Sequence, residues 1–371
     1  MKAVGVVFSN IHDKEIKELT AYRTVASIPF GGRYRLIDFV LSNLVNSGVT
    51  NVGIITKYNY QSLMDHVGSG KNWDLSRMYG GLTILPPFGR GGSNVYSSRF
   101  EAIMGAAGFL KGGIEKYVIM SDCDNVCSID YNPVLERHIA VGADITLVYR
   151  EKEFAGNDEK VRTLLKIDEA GRINEVIFAK ARAGKAYEYT NILVISKELL
   201  FKLIDSAAEN GIQSFSRDVL GKGTKRLRIF GYRFDKKFAS INNLTDYYKH
   251  SMELLDKKNR DELFRAPGGN IYTKVGNSPP LRLLESSKVR NSIIADGCVI
   301  EGEVVNSILF RDVHVEKGAK IANSIVFEKG RIQAASRLNC VVADKSVTIL
   351  KGRELSGHET HPYFLSKGSI I

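Results

Sequence analysis

Apolar positions in the first 250 residues alternate between two spacings. Lys2–Phe8 is a run of small and branched apolar residues, the pattern of a buried strand. From Leu36 to Val45 the apolar residues recur at helical spacing and stop at Gly48, a glycine suited to a helix C-terminus. The same reading predicts strands at Val52–Ile55, Leu82–Leu85, Tyr117–Met120 and Ile145–Val148. It predicts helices at Gln61–Val67 and Phe100–Leu110, and a third opened by Pro133 and ending at Val141, with Asn132 as its N-cap. Strand–helix alternation of this kind predicts an α/β domain with a mostly parallel sheet and helices on both faces. Ligands of such sheets bind beyond the carboxyl ends of the strands. The residues to inspect for chemistry are therefore Ser9–Glu15 and Asp122.

The pattern changes after the helix predicted at Leu244–Leu255. Lys257-Lys258-Asn259-Arg260, Ala266-Pro267-Gly268-Gly269-Asn270 and Pro279-Pro280 read as linker. From Ser286 onward a triplet recurs: Asn291-Ser292-Ile293, Asn306-Ser307-Ile308, Asn323-Ser324-Ile325 and Asn339-Cys340-Val341, spaced 15, 17 and 16 residues apart. Short β-branched pieces punctuated by glycine lie between the triplets, so the repeat predicts a parallel β-helix whose coils bury a core by stacking. The expected organisation is an α/β domain over 1–250, a linker over 251–285 and a β-helix over 286–371.

Composition narrows the function classes. With 371 residues and 44% hydrophobic content the chain builds a full core. The formal charge of +11 points to anions such as sugar phosphates. No basic run is interleaved with aromatics, so nucleic acid is not an expected partner. No apolar run reaches membrane-spanning length, and no signal peptide is visible at the N-terminus. The four cysteines, Cys123, Cys127, Cys298 and Cys340, lack a zinc or redox spacing and predict buried, reduced thiols in a cytoplasmic protein.

Specific motifs then carry a resemblance. Ile28-Pro29-Phe30-Gly31-Gly32-Arg33-Tyr34-Arg35-Leu36-Ile37-Asp38-Phe39, with Leu41-Ser42-Asn43 and Asn46-Ser47-Gly48, is similar to the ADP-glucose pyrophosphorylase (glucose-1-phosphate adenylyltransferase) family. The likeness extends to Thr56-Lys57-Tyr58, Ser121-Asp122, Asp130-Tyr131, Phe215-Ser216-Arg217-Asp218 and the stretch Asn291–Ile300, and so covers nearly the whole chain. It implies a Rossmann-like nucleotidyltransferase domain of the GT-A-like kind, followed by a left-handed parallel β-helix. It also implies a reaction in which ATP and glucose 1-phosphate give ADP-glucose and pyrophosphate, on the way to glycogen. In nucleotidyl transfer a protein mainly positions the reactants and offsets negative charge with metal and cations.

Position by position, most of those charge-handling groups are replaced. The family's phosphate loop has the form Gly-Gly-x-Gly-x-Arg-Leu, and here those positions read Asn10-Ile11-His12-Asp13-Lys14-Glu15-Ile16. Asp13 and Glu15 would face a polyanion. In the family's Arg-x-Lys-Pro-Ala element the arginine persists as Arg23 and the lysine is Val25. The loop Gly-Thr-Ala-Asp-Ala is Ser98-Arg99-Phe100-Glu101-Ala102, whose bulky Arg99 and Phe100 are expected to fill nucleotide space. The sugar-phosphate lysine falls on Ala179, with Lys180 adjacent. Of the two aspartates that would hold magnesium, Asp122 remains and the second position is Ser240. The resemblance is therefore to the GlgD-type regulatory branch: a subunit with Asp122 as a remnant, no catalytic residue, no metal site and no cofactor of its own. Mg²⁺ belongs to a catalytic partner subunit, with which it is expected to assemble as a tetramer through both domains. Arg23, Lys57 and Lys180 are the candidate cations for a phosphate or sugar phosphate, and sugar-phosphate effectors are expected ligands. The alternatives are an active enzyme in which Asp124, Asp235 or Asp246 replaces the lost ligand, or a stand-alone sugar-phosphate-binding protein. His314, in the repeat region, is expected to be an ordinary surface residue rather than an acyl-transfer base. The Pro29–Gly32 loop has the look of a substrate-site loop, but it leads into the helix Leu36–Ser47 and is expected to be kept for the fold and subunit packing.

Overall fold

The computed structural model describes residues 3–11, 13–87, 96, 98–156, 160–207, 211–265 and 269–371; Lys2, His12 and the linker residues Ala266-Pro267-Gly268 lie outside them. Ala3–Phe8 is buried along its whole length, as a central strand must be. It pairs in parallel with Asn51–Ile55 on one side and with Tyr117–Asp122 on the other, and Gly81–Leu85 extends the parallel half. Beyond Tyr117–Asp122 the sheet changes character. The long strand Gly184–Ser196 joins it antiparallel and carries Ile145–Phe154 and Val161–Ile167, completing nine strands with Ile173–Lys180 and Ile229–Arg233. The antiparallel arm is hard to see in the sequence because Val161–Ile167 and Ile173–Lys180 are largely half-exposed and mix charged with apolar residues.

Local chemistry corrects several element boundaries. The helix expected over Phe100–Leu110 is two, Arg99–Gly105 and Ala107–Lys111, because the Ala106 N–H reaches back to three carbonyls at once and tightens the turn. Asn132 is the first helical residue and not the cap; its side chain donates to Asp130 Oδ1 at 2.9 Å. Lys257–Arg260, read as linker, opens the helix Lys257–Phe264, because Asp256 accepts the Lys258 and Asn259 N–H groups.

The β-helix begins at Arg282–Leu283, ahead of Ser286, and its strands stack into three five-stranded sheets, paired in parallel throughout. The Asn-Ser-Ile triplet explains the stacking. Asn291, Asn306 and Asn323 take left-handed backbone (φ 44°, 46° and 46°), a conformation asparagine tolerates, at the corner of each coil. The N–H of Ser307 donates to Ser292 Oγ, that of Ser324 to Ser307 Oγ and that of Val341 to Ser324 Oγ, each at 3.1–3.2 Å. The next residue points into the core: Ile308 pairs with Ile325, and Ile325 with Val342. The fourth triplet is therefore Cys340-Val341-Val342, one residue later than Asn339-Cys340-Val341, and Cys340 takes the corner with φ 51°. Asn339 still accepts a hydrogen bond from Asn323 Nδ2 at 3.0 Å, so the asparagine ladder continues across the slip.

One apolar cluster joins sheet domain and coil. It contains Ile16, Val25, Phe30, Phe39, Tyr247 and Leu263 from the first part, and Ile308, Phe310, Phe327 and Val342 from the coil. The Pro29-Phe30-Gly31-Gly32 loop lies in this joint. Phe30 packs edge-on against Phe39 and Tyr247, and Tyr247 Oη donates to the Pro29 carbonyl at 2.7 Å. Gly31 and Gly32 have φ of +60° and +87°, and a Cβ on Gly32 would come 3.1 Å from Ile293 Cγ2. The loop that resembles a substrate loop is thus a docking loop for the chain's own β-helix. Arg23, buried in the same joint, grips both oxygens of Asp344 at 2.7 and 3.0 Å.

No helix among the described residues is long and apolar enough to cross a membrane.

Two outcomes test these packing arguments. Asp344→Ala strands the buried Arg23 charge and is expected to destabilise the protein by about 3–5 kcal/mol in denaturant titration, whereas Arg23→Met with Asp344→Leu recovers most of the loss. The buried His138, with Nδ1 2.8 Å from Thr146 Oγ1, has its pKa lowered to about 4 by burial, which outweighs the pull of Asp144. The folded state thus binds this proton more weakly than the unfolded chain. Its contribution is complete above pH 6.5 and drains as the pH falls toward about 4. His138→Gln is expected to flatten that part of the stability–pH curve.

Candidate functional site

The cleft lies where the carboxyl ends of the parallel strands meet the antiparallel arm, and encloses about 320 Å³. Its walls are rich in cations: Arg99, Arg150, Lys160, Arg162 and Arg217 all line it, facing Glu15 and Glu188. The strand register explains one wall. Glu188 stands opposite Arg150 on the neighbouring strand. Arg150 donates to Glu188 Oε2 through Nε and Nη2 at 2.9 and 2.7 Å, and through Nη1 to the Phe238 carbonyl at 3.1 Å. Arg162 reaches Glu188 Oε1 at 3.2 Å, so this carboxylate is gripped from two strands. Asn191, in the bulge between Tyr189 and Ile192, takes φ 60° at the cleft edge. Across from it, Phe215–Gly221 brings Ser216 and Arg217 to the rim, held by Asp218. That carboxylate pairs with Lys222 and accepts the N–H groups of Ser214 and Gln213, which lowers its pKa to about 2.

At the cleft floor Arg99 forms an ion pair with Asp122. Ser98 accepts the Glu101 N–H at 3.2 Å, capping the helix that starts at Arg99 and fixing its first residue. The guanidinium also lies 5.0 Å from the centre of the Phe8 ring. Burial works against its charge, yet Asp122, with Tyr189 and Asp124 adding to it, raises its pKa above the ordinary arginine value. Ser240 lines the same cleft from the strand Phe238–Ser240, antiparallel to Asn125–Cys127.

The loop after the first strand is built for packing. Ser9 Oγ donates to the Ile55 carbonyl at 2.8 Å, and the Asp13 carboxylate accepts the Val25 N–H at 2.8 Å. Ile16 and Val25 are both buried. Among the described residues of this loop, Ser9–Ile11 and Asp13–Glu15, none is left-handed, the conformation that glycine supplies in a phosphate loop.

A nucleotidyl transferase family model matches residues 14–160, and a GlmU-like C-terminal hexapeptide model matches residues 282–361. The glycogen biosynthesis protein GlgD of Bacillus subtilis is 35% identical over 99% of this chain and 96% of its own length. GlgD of Geobacillus stearothermophilus is 35% identical over 100% of this chain and 97% of its own. A glucose-1-phosphate adenylyltransferase of Geobacillus stearothermophilus is 30% identical over 86% of this chain and 83% of its own. The chain belongs to the GlgD and glucose-1-phosphate adenylyltransferase family. Its coil is accordingly the left-handed parallel β-helix of hexapeptide proteins, and its sheet domain is the nucleotidyltransferase fold.

Against the family pattern, the candidate residues scatter. Arg23 is buried in the domain joint, where its Nη2 pairs with Asp344, and it does not line the cleft. Lys57 is half-buried beyond the strand Asn51–Ile55 and does not line the cleft; burial first, then Lys14, lowers its pKa, against Asp13 and Glu101. Lys180 is exposed at the end of Ile173–Lys180, and the residue from that strand that lines the cleft is Phe178. Phe100 does not line the cleft. It is fully buried and stacks on Phe215, leaving Arg99 alone to enter the cleft. Glu15 faces the cleft and pairs with Lys160, whereas Asp13 turns away to hold Val25. The residues present do not fit a magnesium ion: Asp122 is engaged by Arg99, and the second position carries the hydroxyl of Ser240. Of the alternatives, Asp235 pairs with Arg233, Asp246 accepts the Asn242 N–H, and Asp124 is buried two residues beyond Asp122; none of the three lines the cleft. Among the described residues no group of three or more His, Cys, Asp or Glu is arranged to hold a metal.

Arg150, Lys160, Arg162 and Arg217 are cleft residues that the sequence does not single out. For Arg217 a signal exists, since Phe215-Ser216-Arg217-Asp218 matches the family pattern; for Arg150 and Arg162 none does, because strand pairing brings them together. Restoring the family's lysine by Val25→Lys buries an ammonium in the apolar joint. It is expected to lower stability by about 3–5 kcal/mol without conferring ATP turnover, read by thermal melting and by ADP-glucose assay.

Proposed function

We propose that this chain is the regulatory, non-catalytic subunit of a glucose-1-phosphate adenylyltransferase in glycogen biosynthesis, assembling with a catalytic paralogue. The single observation that carries this reading is the Arg99–Asp122 ion pair, which engages the carboxylate that nucleotidyl transfer needs for its metal. Val25 in the apolar joint, the phosphate-loop positions turned to packing and the hydroxyl of Ser240 support it independently. Similarity to two GlgD proteins over nearly their full length supports a place beside an adenylyltransferase. In this reading ATP and Mg²⁺ bind the partner, assembly is a tetramer with contacts through both domains, and sugar phosphates act as effectors. Buried, free Cys123, Cys127, Cys298 and Cys340 suit a reducing cytoplasm.

The test is to purify the chain alone and together with a catalytic homologue, and to assay ADP-glucose formation from ATP, glucose 1-phosphate and Mg²⁺. The chain alone is expected to show no turnover above background. The mixture is expected to co-purify and to change the partner's rate or effector response. Turnover by the chain alone that Asp122→Ala abolishes overturns the proposal, as does a failure to co-purify or to alter the partner.

A further inference from the structure

A second groove lies on the antiparallel arm, and strand alternation creates it. On the paired strands Ile145–Phe154 and Gly184–Ser196, Arg150 and Glu188 line the cleft. Their neighbours Tyr149 and Tyr187 line a separate groove of about 420 Å³ that shares no lining residue with it. We propose that this groove binds a neutral sugar chain, and that its ligand is a short stretch of α-1,4-glucan. The sugar class follows from the groove itself; the choice of glucan rests on the place in glycogen biosynthesis proposed above.

Three observations support it. First, aromatic surface is presented in a fixed arrangement. The Tyr149 and Tyr187 rings meet edge to face, with centroids 5.1 Å apart and planes at 66°. Tyr149 packs against Gly231, where a Cβ would come 2.6 Å from the ring, so the bare glycine lets the ring settle on the strand Ile229–Arg233. Tyr232 lines the groove from the same strand. Pyranose rings carry C–H faces that pack on aromatic rings, and tyrosine joins such a ring to a polar tip.

Second, the hydrogen-bonding groups of the groove are unused. The hydroxyls of Tyr149, Tyr187 and Tyr232 and the Glu169 carboxylate make no hydrogen bond or ion pair with a described residue. A half-buried phenol without a protein partner is served by water or by a ligand. Burial above all raises the pKa of Tyr149 and of Tyr232, so both keep the proton and can donate as well as accept. The rim that carries Glu169 is held firmly. Arg137 donates to the Ala170 carbonyl at 3.0 Å, and the Gly231 N–H donates to the Gly171 carbonyl at 2.8 Å.

Third, charge selects against a phosphate. The charged lining residues are Arg137, Arg233, Asp168 and Glu169, two of each sign. Arg233 is already paired with Glu151 and Asp235. A balanced wall concentrates no net charge, which favours a neutral polyhydroxyl ligand over an anion. The volume is at the small end of ligand pockets and suits a few units of a longer chain.

The experiment is calorimetric titration of the isolated full chain with maltoheptaose, cellohexaose and glucose 1-phosphate, with migration in native gels containing glycogen as a second readout. Maltoheptaose is expected to bind, and cellohexaose to bind at least about tenfold more weakly. Raising the salt to about 0.5 M is expected to change maltoheptaose affinity by less than twofold, because a neutral ligand has no charge to screen. Saturating glucose 1-phosphate is expected to leave that affinity unchanged. Tyr187→Ala is expected to weaken maltoheptaose binding by about tenfold or more and to abolish retardation by glycogen. Should that variant melt early, Tyr187→Phe keeps the ring and removes the hydroxyl, with an expected loss of about three- to tenfold. No binding of maltoheptaose at millimolar concentration, equal binding of cellohexaose, displacement by glucose 1-phosphate, or full affinity in both Tyr187 variants overturns the proposal. The subunit reading is judged by turnover and co-purification, so either can fail while the other stands.

Discussion

The apolar joint between the sheet domain and the β-helix is the constraint from which much of the molecule follows. Ile16, Val25, Ile28 and Phe30 enter it from the segment after the first strand, and Ile308, Phe327 and Val342 meet them from the coil. Close packing of this kind tolerates neither a solvated lysine nor an open loop. The positions where the family would place phosphate-handling groups are here used as packing positions. In the non-catalytic reading proposed above, the absence of ATP chemistry and the sealed domain joint have one structural basis. The same joint explains the form of the Pro29-Phe30-Gly31-Gly32 loop: Gly32 lets Ile293 of the coil approach closely and Gly31 makes room for Leu254 and Phe264, both at a backbone conformation that favours glycine.

Internal ion pairs take the places in which charge would otherwise await a ligand. Arg23 holds Asp344, Arg99 holds Asp122, and Glu188 holds Arg150 and Arg162. A buried pair adds little net stability over apolar residues of the same shape, but removing one member is costly because a desolvated charge is left alone. Each pair consequently locks its members against exchange for a free ion. The effect differs with position. In the domain joint the pair is enclosed and serves the fold, whereas at the cleft floor one partner still faces the cavity.

Much of this architecture is legible in the residue pattern. The helix Gln61–Val67 has its expected ends, and the strand from Ala3 ends at Phe8 as expected, because strict spacing and clear terminators mark them. The stacked coils are legible from the triplets, since the coils repeat asparagine at a corner and serine between rungs. What stays hidden has equally particular causes. The slip at Cys340 is masked because Asn339 imitates the triplet one residue early, and only the pairing of Ile325 with Val342 sets the register. The helix Lys257–Phe264 is masked because its charged first turn resembles a linker, and its apolar Leu263 and Phe264 come only at the end. Phe100 looks like a cleft residue because linear order does not tell which face of a helix meets the core.

By itself the sequence determined what depends on local spacing and residue type: the two architectures, their family, the missing glycine loop and the missing second metal carboxylate. Tertiary structure alone decided the fate of the charges that remained. Arg23 and Asp344 are 321 residues apart, and Arg99 and Asp122 are 23 apart on different elements. Whether a cation meets a ligand or a carboxylate of its own chain depends on distances of a few ångströms, because attraction and desolvation both change steeply at that range. Such distances are set by how the sheet, the helices and the coil pack together, and no spacing along the chain encodes them.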